Sequence, residues 1–128
     1  MRYYFSNTLN TSFDDTVAKV IAELNKEGFG VLTEIDVKGA LKKKLNVDFK
    51  KYRILGACNP AFAYEALQVE DKIGTMLPCN VIVQEISEGV VEVGAIDPVA
   101  SMQAIDNAEL GRVAEQVQAK LRKIIEAL

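Results

Sequence analysis

The chain contains no histidine and no tryptophan, only two cysteines and three prolines. The missing histidine removes the commonest general base and the commonest metal ligand at once. A Ser-His-Asp or Cys-His centre cannot be assembled from this chain alone. Two cysteines are too few for a secreted disulfide framework. Without histidine they also make a poor zinc site, because four ligands are usual. The expectation is no bound metal and no cofactor. No apolar run comes near the ~20 residues a membrane span requires, and the start "MRYYFSNTLN" has no signal-peptide core. This points to a cytoplasmic protein whose thiols stay reduced.

What is present suits a single globular domain over residues 1–128. Hydrophobic residues make up 49% of the 128 positions and charged residues 26%. That length and balance can bury a core without disulfide staples. The net charge of −3 gives no reason to expect nucleic acid or a membrane as partner.

Periodicity predicts the elements. Residues 3–8 form a short aromatic strand. Phe13, Val17, Val20, Ile21 and Leu24 recur at helical spacing, which predicts a helix over 13–26 with Ser12 and Asp15 as a capping box and Gly28 as its stop. Residues 31–37 alternate as a second strand, and 38–45, "KGALKKKL", form a short helix. A third strand covers 52–58. A third helix over 60–69 opens with Asn59 as N-cap and Pro60 at its first position. The stretch "DKIGTMLP" is a loop. Strands 80–86 and 90–96 form a hairpin turning at Glu88-Gly89. Leu110, Val113, Ala114, Val117, Leu121, Ile124, Ile125 and Leu128 draw an apolar stripe along a last helix from about Asn107.

The order β-α-β-(short α)-β-α-β-β-α lacks the regular alternation of a doubly wound parallel sheet. It predicts a two-layer α+β fold, with a mixed, mostly antiparallel sheet and the long helices on one face. In the hairpin, Ile82 and Ile86 fall opposite Val81 and Val83. Apolar residues on both faces predict cover by another subunit, hence a homodimer.

The stretch "YRILGACNPAFAYEAL" places Cys58 one residue before the Asn59-Pro60 helix start. Free amides and the helix dipole favour negative charge there and can lower a thiol pKa. Gly56 and Ala57 are small enough to let another group approach the backbone. The alternative is a small hydrophobe at a strand end. "MLPCNV" repeats the Cys-Asn pair at Cys79-Asn80. If the two strands are neighbours, Cys58 and Cys79 could meet as a redox pair, although their spacing matches no thiol motif.

Seven basic residues, Lys38, Lys42, Lys43, Lys44, Lys50, Lys51 and Arg53, fall within 38–53, opposed only by Asp48. They make either a positive patch for an anionic ligand or acidic partner, or a solvated helix face. Glu34 and Asp36 share a strand face and could share a proton or bind a cation, or else pair with lysines. Asp97 precedes Pro98 and reads as a cap for a turn or short helix. Tyr64 lies on the third helix and could line a pocket near its start, or be partly buried there.

The stretches "EIDVKGALKKKL", "YRILGACNPAFAYEAL" and "LPCNVIVQE", with the later "AIDP", resemble the family catalogued as domain of unknown function 302. Gly39-Ala40 stands where that family's pattern reads Ala-Thr. The resemblance covers nearly the whole chain. It implies a compact α+β fold like that of the uncharacterised TT-type proteins, with a TATA-binding-protein-like arrangement. A shared fold does not imply DNA binding. The family's characteristic stretches contain Asp36, Cys58, Asn59, Pro60, Cys79 and Asn80, and the resemblance gives none of them a role.

Three readings of function follow. The first is a non-catalytic binding or sensing module, a dimer holding a small ligand or anion near the start of the third helix, with Arg53, Cys58, Asn59, Tyr64 and Asn80 around the site. The second is a thiol-based redox protein in which Cys58 attacks and Cys79 resolves. The third is a structural or protein-interaction dimer. No recognised catalytic motif occurs, which leans against an enzyme.

Overall fold

The computed structural model describes residues 2–128. The chain runs β1 (Tyr4–Leu9), α1 (Phe13–Lys26), β2 (Gly30–Asp36), α2 (Val37–Leu45), β3 (Tyr52–Cys58), α3 (Pro60–Val69), a 3-10 segment (Asp71–Met76), β4 (Cys79–Ser87), β5 (Val90–Ile96), the one-turn α4 (Pro98–Ser101) and α5 (Ala108–Glu126). The strands form one five-stranded sheet in the order β1-β5-β4-β3-β2. This is the α+β architecture expected from the element order. All four pairings are antiparallel, so the sheet contains no parallel pair. β1 and β2 point the same way but lie at opposite edges, because α1 carries the chain across the sheet between them.

The helix-facing side of the sheet follows from the two-residue strand period. Val81 and Val83 on β4, Val91, Val93 and Ala95 on β5, and Leu55 and Ala57 on β3 are buried. Against them pack Phe13, Val17, Val20 and Leu24 of α1 and Leu110, Val113, Val117, Leu121, Ile124 and Ile125 of α5. The apolar stripes of both long helices are thus explained by the core.

Helix ends match the local chemistry. Ser12 Oγ accepts from the Asp15 amide at 3.1 Å. The positive φ of Gly28, +85°, lets the chain reverse after α1 at a conformation that side chains disfavour. Asn107 Oδ1 accepts from the Glu109 and Leu110 amides, each at 3.1 Å, while its Nδ2 donates to the Val69 carbonyl at 2.7 Å. One asparagine therefore starts α5 and ties it to the end of α3.

The other side of the sheet carries half-buried Tyr4, Tyr52, Ile54, Ile82 and Ile96, with Gln84 donating to Glu92 at 2.7 Å. Ile86 falls in a bulge of β4, between Glu85 and Ser87, and is largely exposed. Its apolar character therefore comes from an irregular edge of the hairpin rather than from a regular face.

Candidate functional site

At one end of the sheet, β3 runs straight into α3 through Asn59 and Pro60, and the 3-10 segment leads back into β4 at Cys79. Between α3, the 3-10 segment, α5 and the strand ends lies an open cleft of about 310 Å3. Its wall includes Phe29, Phe62, Leu77, Leu110, Val113 and Val117, with Met102 and exposed Leu32 also contributing. Cys58, Asn59 and Cys79 line it as well. Among the described residues no charged side chain does so. The volume falls at the lower end of the range of about 300–1,000 Å3 typical of small-molecule sites.

β3 and β4 are neighbours, and Ala57 stands opposite Cys79 in their register. Both cysteines are free thiols; Cys58 is half-buried and Cys79 buried. Burial pushes the Cys79 thiol up from its ordinary 9.0 to about 11, and the charge of nearby Cys58 adds to the rise. Cys79 is therefore a neutral thiol at physiological pH and a poor nucleophile.

Asn59 occupies the N-cap position of α3, yet its side chain makes no cap hydrogen bond. Its Nδ2 donates instead to the Glu27 carbonyl at 3.3 Å. The group that approaches small Gly56 is also internal. A side chain there would meet the Thr33 hydroxyl and the Pro78 ring.

The remaining sequence candidates lie elsewhere. Arg53 donates to Glu34 at 2.9 Å and sits over the Phe13 ring, 5.4 Å from its centroid. Cys58 lies five positions further along the strand, roughly 17 Å away. Its buried Nε has no hydrogen-bond partner among the described residues. Tyr64 is 66% exposed and does not line the cleft. Asn80 pairs opposite Gly56 and lines a second cleft, of about 340 Å3, on the other side of the sheet with Tyr4 and Ile82. The structure thus brings together Cys58, Asn59 and Cys79, and separates Arg53, Tyr64 and Asn80 from them.

The carboxylates singled out in the sequence have structural partners. Glu34 holds Arg53, and Asp36 caps α2 by accepting from the Gly39 amide at 3.1 Å. Asp97 caps α4, accepting from the Val99 amide at 3.0 Å, and receives Gln118 of α5 on both carboxylate oxygens at 3.0 and 3.1 Å. The cleft wall itself combines residues from five segments. Cys58, Asn59 and Cys79 were marked out by local chemistry; Phe29, Leu77 and Leu110 look like any other core residue in the sequence.

A family model described as "Domain of unknown function DUF302" matches residues 5–128. The chain belongs to this family. The resemblance carried by the cysteine-asparagine stretches therefore extends over almost all of this DUF302 protein. Its fold is similar to the crystal structure of an uncharacterized conserved protein DUF302 from Bacillus stearothermophilus, with 25% identity, 98% of each chain covered and a TM-score of 0.90. No curated protein matches the sequence. No helix among the described residues is long and apolar enough to cross a membrane.

Proposed function

We propose that this DUF302 protein is a binding module that takes a small, uncharged and largely apolar ligand in the cleft beside Cys58. The observation that carries the reading is the wall of the cleft: about 310 Å3 lined almost wholly by apolar side chains, whereas the opening on the other side of the sheet is edged by Asn80, Gln84 and Glu92. An anion, expected from the sequence at this helix start, is disfavoured because the basic residues lie away from the wall. Asn59 and the Cys58 thiol are the polar groups available to orient a ligand. Among the described residues no carboxylate or amine lines the wall, so hydrolytic chemistry is disfavoured too.

A series of neutral aliphatic and aromatic compounds, screened by thermal shift, tests the proposal. Binding raises the melting temperature with the logarithm of the ligand excess over Kd. Ala63→Trp, which fills the cleft from α3, should abolish the shift while leaving the fold intact. Flat melting temperatures across the series, or shifts unaffected by Ala63→Trp, would count against this site.

A second reading, thiol exchange, is supported by the two cysteines sharing one wall. With a small disulfide as oxidant, Cys58 thiolate would displace one thiol and form a mixed disulfide. Cys79 sulfur would then attack the Cys58 sulfur, release the second thiol and close a protein disulfide. The raised Cys79 pKa makes that second step slow near neutrality. A stable mixed disulfide on Cys58 that never loses the small thiol would remove this reading.

A further inference from the structure

The nine-residue helix α2 has no fully buried side chain; Val37, Ala40 and Leu41 are only half-buried. Helices in proteins owe most of their stability to a buried face, and the half-buried face of α2 is supplemented by other contacts. Two lysine contacts hold it to the chain that follows. Lys38 Nζ donates to the Phe49 carbonyl at 2.7 Å, and Lys42 Nζ pairs with Asp48 at 3.2 Å. Asn46, in the left-handed conformation at φ +54°, turns the chain back along the helix. Residues 37–51 thereby form a lobe beside β2 and β3.

The lobe exposes the wrong residues for a merely solvated face. Leu45 is 66% exposed, Val47 43% and Phe49 38%. Around them stand Lys43, Lys44, Lys50 and Lys51, none of which forms an ion pair among the described residues. Lys50 Nζ lies 5.8 Å from the Phe49 ring centroid. Residues 38–53 carry a net charge of +6, so the rest of a chain whose total is −3 carries −9. The overall charge, which argued against an anionic partner, conceals a strongly segregated distribution.

We propose that residues 37–51 dock on an anionic lipid surface. Clustered lysines supply the attraction to acidic headgroups, and Leu45, Val47 and Phe49 enter the headgroup-acyl boundary. A membrane matches both features of the lobe, whereas a nucleic acid would use the charge but leave two aliphatic side chains in water. One phenylalanine is also a poor stacking platform.

The test is sedimentation of the full chain with phosphatidylcholine vesicles, with and without phosphatidylglycerol. Pelleting should require phosphatidylglycerol and fall as salt rises. Lys43→Glu/Lys44→Glu should weaken partition at least about tenfold, and Leu45→Ser/Phe49→Ser should weaken it as well. All of these side chains are exposed, so thermal unfolding should stay close to that of the parent protein and report any loss of fold. Absence of pelleting with phosphatidylglycerol vesicles at low salt would overturn the proposal. So would equal pelleting with neutral vesicles, or partition unchanged by Leu45→Ser/Phe49→Ser. Binding of duplex DNA without binding of vesicles would assign the lobe to nucleic acid and overturn it equally.

Discussion

Asn59 Nδ2 donates to the carbonyl oxygen of Glu27 at 3.3 Å, tying the start of α3 to the end of α1. Glu27 in turn receives Lys123 and Lys120 of α5 on its carboxylate, at 3.2 and 3.7 Å. Three helices meet at one residue pair, beside the cleft. A side chain added at Gly28 would also press on this amide, 3.2 Å from Asn59 Nδ2.

This geometry separates two roles for Asn59. Asn59→Ala should cost about 1 kcal/mol, the net worth of one hydrogen bond. Asn59→Asp, an equally good cap residue, should cost at least as much, because it loses the donor and faces the Glu27 carbonyl with a carboxylate. Urea unfolding of the two variants decides it. Retained stability in Asn59→Asp would mean that capping is the role after all.

Gly56→Ala should destabilise by about 1–3 kcal/mol, the usual cost of overpacking. The added methyl would compete with the Thr33 hydroxyl and the Pro78 ring. Thr33→Ala should return part of that loss in the double variant, since the two residues share the space. Additive denaturation midpoints would show that Thr33 and the added methyl at position 56 do not compete for the same space.

Stability should fall as pH rises from about 9 to 11. The Cys79 thiol ionises at its ordinary 9.0 when unfolded but only near 11 when folded. Between those values the unfolded state has lost a proton that the folded state retains, so unfolding gains. The loss is on the order of 2 kcal/mol once pH passes the folded value. Below pH 9 the contribution is fully present. Cys79→Ala should remove this alkaline component, seen as the difference between the two proteins' pH-stability curves.

Alkylation should distinguish the thiols in the folded protein. Half-buried Cys58 should react with iodoacetamide near neutrality, and buried Cys79 only on unfolding. Site-resolved mass spectrometry measures both rates at once. Equal rates would mean that the cleft wall opens as far as Cys79.

Much of this architecture is legible along the chain. Val17, Val20 and Leu24 announce α1, and the stripe from Leu110 to Ile125 announces α5, because helical spacing places them on one face that must be buried. The hairpin turn at Glu88-Gly89 and the start of α3 at Pro60 follow from backbone preferences of a few residues. The 3-10 segment Asp71–Met76 escaped because "DKIGTM" shows neither helical nor strand spacing, and only buried Ile73 holds it to the core.

Local chemistry thus settles where elements begin and end, which face of each long helix turns inward, and that Cys58 meets a helix start. Those outcomes depend on neighbours a few residues apart. Tertiary packing decides the rest: the antiparallel order β1-β5-β4-β3-β2, the meeting of Cys79 with the Cys58 end of β3, the removal of Arg53 to Glu34, and the cleft. A cleft is the space left between residues as distant as Phe29 and Val117, and its volume depends on how fully their side chains fill it. Hydrophobicity drives all of them inward alike; shape and register determine which ones fall short of contact.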